Sequence, residues 1–377
     1  MLAGLLWLVP STHAAPAAPV PFSQERILII PKAGHDAALG NEHATERVKV
    51  LRKFPRLGNI HILDLPPGAD PQAVIERYRR NGHVDVAALD YQGWRPAATP
   101  NDPLVLNGTQ WHLNNTGLGG GIPDADIDAP EGWDIQNSTT NVIVAVVDTG
   151  ARVTHEDLAP NLWTNKAFAS LNDNHLFTND VTDEYNHGTH VVGILGAVGN
   201  NGVGGCGVLW KAKIIPLKFI GGGNGYDSDF ITCLDYARTN GAKVINCSVT
   251  STITEPALEA AFASLQAADI VVSAAAGNAG TDNDLSPVYP ANYKFNNILS
   301  VTATDRSDVH YTTGGAAANY GATTVHLAAP GIGIYSTLNG SDGDYGFISG
   351  TSMAAPMVSG AAALLRAKFT NESAPQI

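Results

Sequence analysis

Four side chains in this 377-residue chain are of types that carry out acyl transfer, and each lies in a glycine-bearing segment. Ser352 stands in Gly-Thr-Ser-Met-Ala-Ala-Pro, a tight turn running into a small, apolar helix. At a helix N-terminus the unpaired N–H groups and the helix dipole favour negative charge, which suits a serine that attacks a carbonyl. An N-cap serine fits the same position equally well. Asp148 ends Val-Ala-Val-Val and opens Asp-Thr-Gly, so its carboxylate falls at a strand end, where a turn-forming Asp would also sit. Asp-Thr-Gly is also the motif of aspartic proteases, but those need two such carboxylates and only one is present. His187 opens His-Gly-Thr-His-Val-Val-Gly. With His190 it could hold a metal on one helical face, yet no Glu lies between them and no third ligand follows. General-base chemistry needs only one of the two, oriented by a carboxylate. Asn278 ends Ala-Ala-Ala-Gly-Asn, where a side-chain amide could donate to a developing oxyanion or simply form a turn.

These residues need a scaffold that brings distant segments to one edge. Residues 142–147, 214–219, 244–248, 270–275, 298–303 and 325–328 are short, continuous apolar runs of the kind that form strands buried on both faces. Helical stretches lie at 187–198, 227–240, 256–268 and 352–369, the last with Pro356 expected in its first turn, where a missing N–H costs nothing. The fold class is therefore α/β, a three-layer arrangement with a mainly parallel sheet whose strand C-termini form the active-site edge. Ahead of it, strands at 26–31, 59–65 and 84–89 alternate with helices at 43–54 and 71–80, the latter N-capped by Asp70. This predicts a small α+β domain at 22–97, joined through the Pro- and Asp-containing linker 95–102 to a main domain at 98–377. No internal repeat or low-complexity segment interrupts either part.

The formal net charge of −13 argues against a nucleic-acid partner and is compatible with cation binding. Residues 2–9 are apolar but too short to span a bilayer, and small residues near Ala14 and Ala15 offer a cleavage point. A signal peptide at 1–15, a secreted product and no membrane span are the expectations. Cys206, Cys233 and Cys247 have no metal-ligand spacing, and one disulfide with a free thiol or three buried thiols are both open.

In the order Asp, His, Asn, Ser, the four motifs resemble the subtilisin-like serine proteases, from about residue 100 onward. The resemblance implies a subtilisin-like fold and a serine endopeptidase acting on protein or peptide substrates through an acyl-enzyme. Ser352 would be the nucleophile, His187 the proton carrier, Asp148 its orienter, and Asn278 with the Ser352 N–H the oxyanion site. The small first domain looks like the propeptide of these proteases, an intramolecular inhibitor removed by self-processing between Tyr91 and Asp102. The resemblance also implies calcium, with Gln110, Asp157 and Asn201 as side-chain ligands beside the loop 199–205, and no organic cofactor. Gly223, Asn224 and Gly225 would form one edge of the substrate groove, and Ser248, Val249 and Thr250 the other. The second edge departs from the family, which has glycines where Thr250 and Ser251 stand, so a preference for small residues before the scissile bond is expected. A monomer is expected too, with a main domain shorter at its C-terminus than is usual. A catalytically silent relative would have lost one of the triad, and an esterase of the α/β-hydrolase kind would show Gly-x-Ser-x-Gly around its serine; neither description fits.

Overall fold

The computed structural model describes residues 22–91, 98–171, 176–312 and 317–377. The segment that reads as a signal peptide and residues 95–97 of the linker lie outside them. The chain divides into two compact units, 1–96 and 97–377.

In the first unit, β1 (Phe22–Pro31), α1 (Asp36–Glu46), β2 (Lys49–Phe54), β3 (Ile60–Asp64), α2 (Pro71–Asn81) and β4 (Val84–Tyr91) follow in order. The strands form an antiparallel sheet, β2-β3-β1-β4. Ile27 and Ile29 of β1 and Leu63 of β3 are buried with Val74, Ile75 and Tyr78 of α2 and Leu39 of α1. Asp70 caps α2 by accepting the Gln72 N–H at 3.0 Å. The helix expected at 43–54 is instead the end of α1 and a separate strand. Arg47 turns left-handed (φ 55°) and closes α1, and β2 then runs along the sheet edge. Its Lys49, Arg52 and Lys53 are exposed there, so they read as a helix's solvated face while serving to blunt an edge strand.

The second unit contains α3 (Pro103–Leu106), α4 (Ala129–Trp133), β5 (Ser138–Asp148), β6 (Phe168–Leu171), β7 (Leu176–Thr178), α5 (His187–Gly196), β8 (Lys211–Lys218), β9 (Ile220–Gly221) and β10 (Asn224–Gly225). It continues with α6 (Asp227–Thr239), β11 (Ala242–Cys247), α7 (Pro256–Ala267), β12 (Val271–Ala275), β13 (Ile298–Thr304), β14 (Leu327–Pro330), β15 (Ile334–Thr337), β16 (Tyr345–Ile348) and α8 (Thr351–Lys368). The main sheet is ordered β14-β13-β12-β11-β5-β8-β6-β7, parallel throughout except for the edge strand β7. Alternate residues of β5 serve opposite faces. Val142, Val144 and Val146 join the core under α5 and α8, and Ala145 and Val147 join the core under α6 and α7. Both faces of the sheet are therefore covered, which is why the strands are continuous apolar runs rather than alternating ones.

Helix α8 packs on β5, β11, β12, β13 and β14 and against α5. Its small residues permit this approach: a Cβ on Gly360 would lie 2.6 Å from Cβ of Val208. Pro356 is not in the first turn, as the sequence suggests, but inside the helix, because α8 already begins at Thr351. The strands β6 and β7 and the hairpin β15–β16 have no counterpart in the sequence reading, being short and, in β16, half-exposed or exposed throughout.

Candidate active site

Asp148 is the last residue of β5, between β8 and β11 in the sheet, and its side chain is wholly buried. Its Oδ1 accepts the Thr149 N–H at 2.7 Å and meets His187 Nδ1 at 2.7 Å. His187 is the first residue of α5. A carboxylate on Nδ1 fixes the ring so that Nε2 faces away and can accept a proton. Burial pulls the imidazole pKa down, but the Asp148 charge and hydrogen bond, with Asp183 behind them, outweigh it and hold the pKa above its ordinary value.

Nothing in the sequence singles out Asp183, yet it ties these pieces together. One of its oxygens accepts Thr149 Oγ1 at 2.9 Å, and the other accepts the N–H and Oγ1 of Thr189 at 2.9 and 2.6 Å. Thr149 Oγ1 in turn accepts the Gly188 N–H at 2.9 Å. The residue after Asp148 is thereby stitched to the first turn of α5. Glycine is required at 188 because a Cβ there would lie 2.1 Å from the Gly150 carbonyl oxygen. His190 serves another purpose. Its Nε2 meets the carbonyl oxygens of Ile334 and Gly346 at 3.1 Å each, pinning the β15–β16 hairpin. Burial holds its pKa down at about 4. The two histidines thus turn to different partners, and among the described residues no group of three His, Cys, Asp or Glu could hold a metal.

Ser352 lies in the first turn of α8 and is buried. Its Oγ donates to the Ser248 carbonyl at 3.0 Å, and Ser248 Oγ donates back to the Ser352 carbonyl at 2.8 Å. Asn278 lies just past β12, exposed, with its Oδ1 accepting the Thr351 N–H at 2.9 Å and Thr351 Oγ1 at 3.1 Å. A backbone N–H can only donate, so the amide oxygen is committed to Thr351 and Nδ2 is the outward donor. Beside it, the Ser352 N–H belongs to the first turn of α8, whose donors have no intrahelical partner.

The two proposed groove edges leave the sheet from strands on either side of β5. Gly223, Asn224 and Gly225 are exposed at the tip of the β9–β10 hairpin, with Gly222 and Gly223 at φ 60° and 90°. On the other edge Thr250 is exposed, but Val249 is half-buried against the core and Ser248 is buried, its hydroxyl committed to Ser352. Ser248 therefore offers substrate no side chain.

The candidate calcium residues gather at one loop. Asp157, fully buried, accepts Asn201 Nδ2 at 2.8 Å, the Gly205 N–H at 3.0 Å and Tyr345 OH at 3.2 Å. Gln110 Oε1 accepts the Cys206 N–H at 2.8 Å, and Asn201 Oδ1 accepts the Val203 N–H at 2.7 Å. Nearby, buried Asp102 accepts the N–H groups of Asn200 and Asn201. Burial, opposed by these hydrogen bonds and assisted by Asp102, pushes the Asp157 pKa up to about 7. The donor set fits calcium in kind: hard oxygens, and buried carboxylate charge met by neutral donors. All three cysteines are free and buried, and burial raises each thiol well above its ordinary pKa, so none is a ready nucleophile.

Comparison with known proteins identifies the family. The Peptidase_S8 profile, "Subtilase family", matches residues 139–377. The "Thermophilic serine proteinase" of Bacillus sp. (strain AK1) is 31% identical over 93% of this chain and 76% of its own length. "Thermitase" of Thermoactinomyces vulgaris is 37% identical over 66% of this chain and 82% of its own. Among solved structures, a protease of Pseudoalteromonas arctica superimposes with TM-score 0.62 at 29% identity, covering 71% of this chain and 87% of that one. The chain belongs to the subtilase family of serine-type endopeptidases.

Proposed function

We propose that this endopeptidase cleaves peptide bonds with Ser352 as nucleophile, His187 as general base and Asp148 as its orienter. The Asp148–His187 contact of 2.7 Å at the C-terminal end of β5 is the observation that carries the reading. In the reaction, Ser352 Oγ turns from the Ser248 carbonyl to His187 Nε2 and bonds to the substrate carbonyl carbon as its proton passes to the ring. Asn278 Nδ2 and the Ser352 N–H receive the oxyanion. Collapse breaks the C–N bond, His187 gives its proton to the leaving amine, and water repeats the sequence to release the acid.

Beyond the chemistry, we propose that the first unit acts as a propeptide that inhibits until self-cleavage between Tyr91 and Asp102, that the product is secreted, and that the mature enzyme is monomeric. Side chains at Thr250 and Ser251, in place of the family's glycines, narrow the pocket before the scissile bond and favour small residues. Calcium held by Gln110, Asp157 and Asn201 would balance the buried carboxylate charge and stiffen the loop 199–205. Mass spectrometry of protein treated with an organophosphonate tests the core of the reading. One adduct on Ser352, lost with His187→Ala, is expected, whereas an adduct elsewhere or none refutes it. The same spectra fix the processing site.

A further inference from the structure

Within an α-helix each carbonyl accepts the N–H four residues on. For Ser352 that donor would be residue 356, which is proline and has none, and whose ring crowds the carbonyl of the residue four before it. The Ser352 carbonyl is inside the protein, so it needs a donor from elsewhere. Ser248 Oγ supplies one at 2.8 Å. That hydroxyl is itself oriented: it accepts Asn246 Nδ2 at 2.9 Å, and Asn246 Oδ1 accepts Ser359 Oγ at 2.9 Å. Asn246 and Ser359 are fully buried and Ser248 is 3% exposed, so solvent does not compete. The chain of bonds runs from the middle of α8 through the end of β11 back to the first turn of α8.

We propose that the Ser248 hydroxyl is a positioning group for the nucleophile, replacing the backbone donor that Pro356 removes and fixing the backbone from which Ser352 presents both Oγ and its N–H. The proposal rests on Ser352 being the nucleophile. During attack Ser352 Oγ must leave the Ser248 carbonyl, and the Ser248 Oγ–Ser352 carbonyl bond is what keeps the turn in place while it does. Without it, the first turn shifts to find another donor, and misplacing a nucleophile by about 1 Å costs up to about 10²-fold in rate.

A double-mutant cycle tests this, using Ser248→Ala, Pro356→Ala and the pair, each followed by peptide hydrolysis and by the rate of phosphonate capture at Ser352. Alanine at 356 restores the N–H that the carbonyl lacks. Ser248→Ala alone should lower kcat about 10- to 100-fold with KM within about twofold. In the Pro356→Ala background the same change should cost less than about threefold. Equal losses in both backgrounds, or a loss confined to KM, overturn the proposal. Should Ser248→Ala not fold, Ser248→Cys keeps the shape with a weaker donor, and its kcat loss must likewise shrink when residue 356 is alanine. Wild-type protein that takes no phosphonate at Ser352 refutes the nucleophile assignment itself, whereas normal capture with an uncoupled cycle refutes only the role of Ser248.

Discussion

His112 offers a quantitative check on the burial of the catalytic unit. It is fully buried, and among the described residues neither ring nitrogen has a hydrogen-bond partner. Burial, with His190 nearby adding a like charge, lowers its pKa from 6.5 to about 3. The unfolded chain protonates this histidine below about pH 6.5 while the native state does not. Unfolded protein therefore binds more protons, and stability falls as pH drops, at about 1.4 kcal/mol per pH unit until the native pKa is reached. His112→Phe removes that titration without removing a hydrogen bond. Relative to wild type, the variant should gain about 2.5 kcal/mol of stability between pH 7 and pH 4.5. Urea unfolding of both proteins in a Ser352→Ala background, which prevents self-digestion, measures the difference. Asp157, whose raised pKa gives the opposite slope, is common to both proteins and cancels. Parallel stability–pH curves would refute the argument and mean that His112 is solvated or partnered in solution.

The site supplies further expectations. His187 must be neutral to accept a proton, so kcat/KM should rise with pH through an apparent pKa above 6.5, as a pH–rate profile will show. Asp183→Asn removes a charge that raises that pKa, so the rising limb should move to lower pH while Asp148 is intact. An unmoved limb would leave Asp183 only a stitching role. Asn278→Ala should reduce kcat on the order of 10²–10³-fold with little change in KM, measured by steady-state hydrolysis. If calcium occupies the loop 199–205, chelation should lower the melting temperature of wild type and leave Asp157→Asn unaffected.

Asp148, His187, Asn278 and Ser352 are legible in the sequence for a physical reason. Where backbones touch, only glycine fits, and the Gly188–Gly150 approach leaves its mark as glycines beside both Asp148 and His187. The apolar runs betray the buried sheet for a related reason, since both faces are covered. Asp183 leaves no such mark, because its partner Thr149 lies in another segment and Asp180 and Glu184 are nearby acids of similar appearance. Ser248 reads as groove because the resemblance places it there, and position alone does not show that its carbonyl and its hydroxyl both bond to Ser352. The cue to its role is the proline four residues beyond Ser352, whose missing N–H calls for a donor from another element. In the first unit, β2 reads as helix because lysines and arginines on an edge strand look like a solvated helical face.

The order in which the sheet is strung has a consequence for the life of the nascent chain. Strand β5, carrying Asp148, is completed only by β8 on one side and β11 on the other, both of which follow it in sequence. Helix α8, carrying Ser352, then lies across five strands gathered from residue 138 onward. Such pairings close large loops and form slowly. While the ribosome is still adding the segment beyond β16, Asp148 and His187 have been synthesised but Ser352 has not. On the proposed roles, the nucleophile therefore comes last, after every strand of the main sheet beneath α8 has been made.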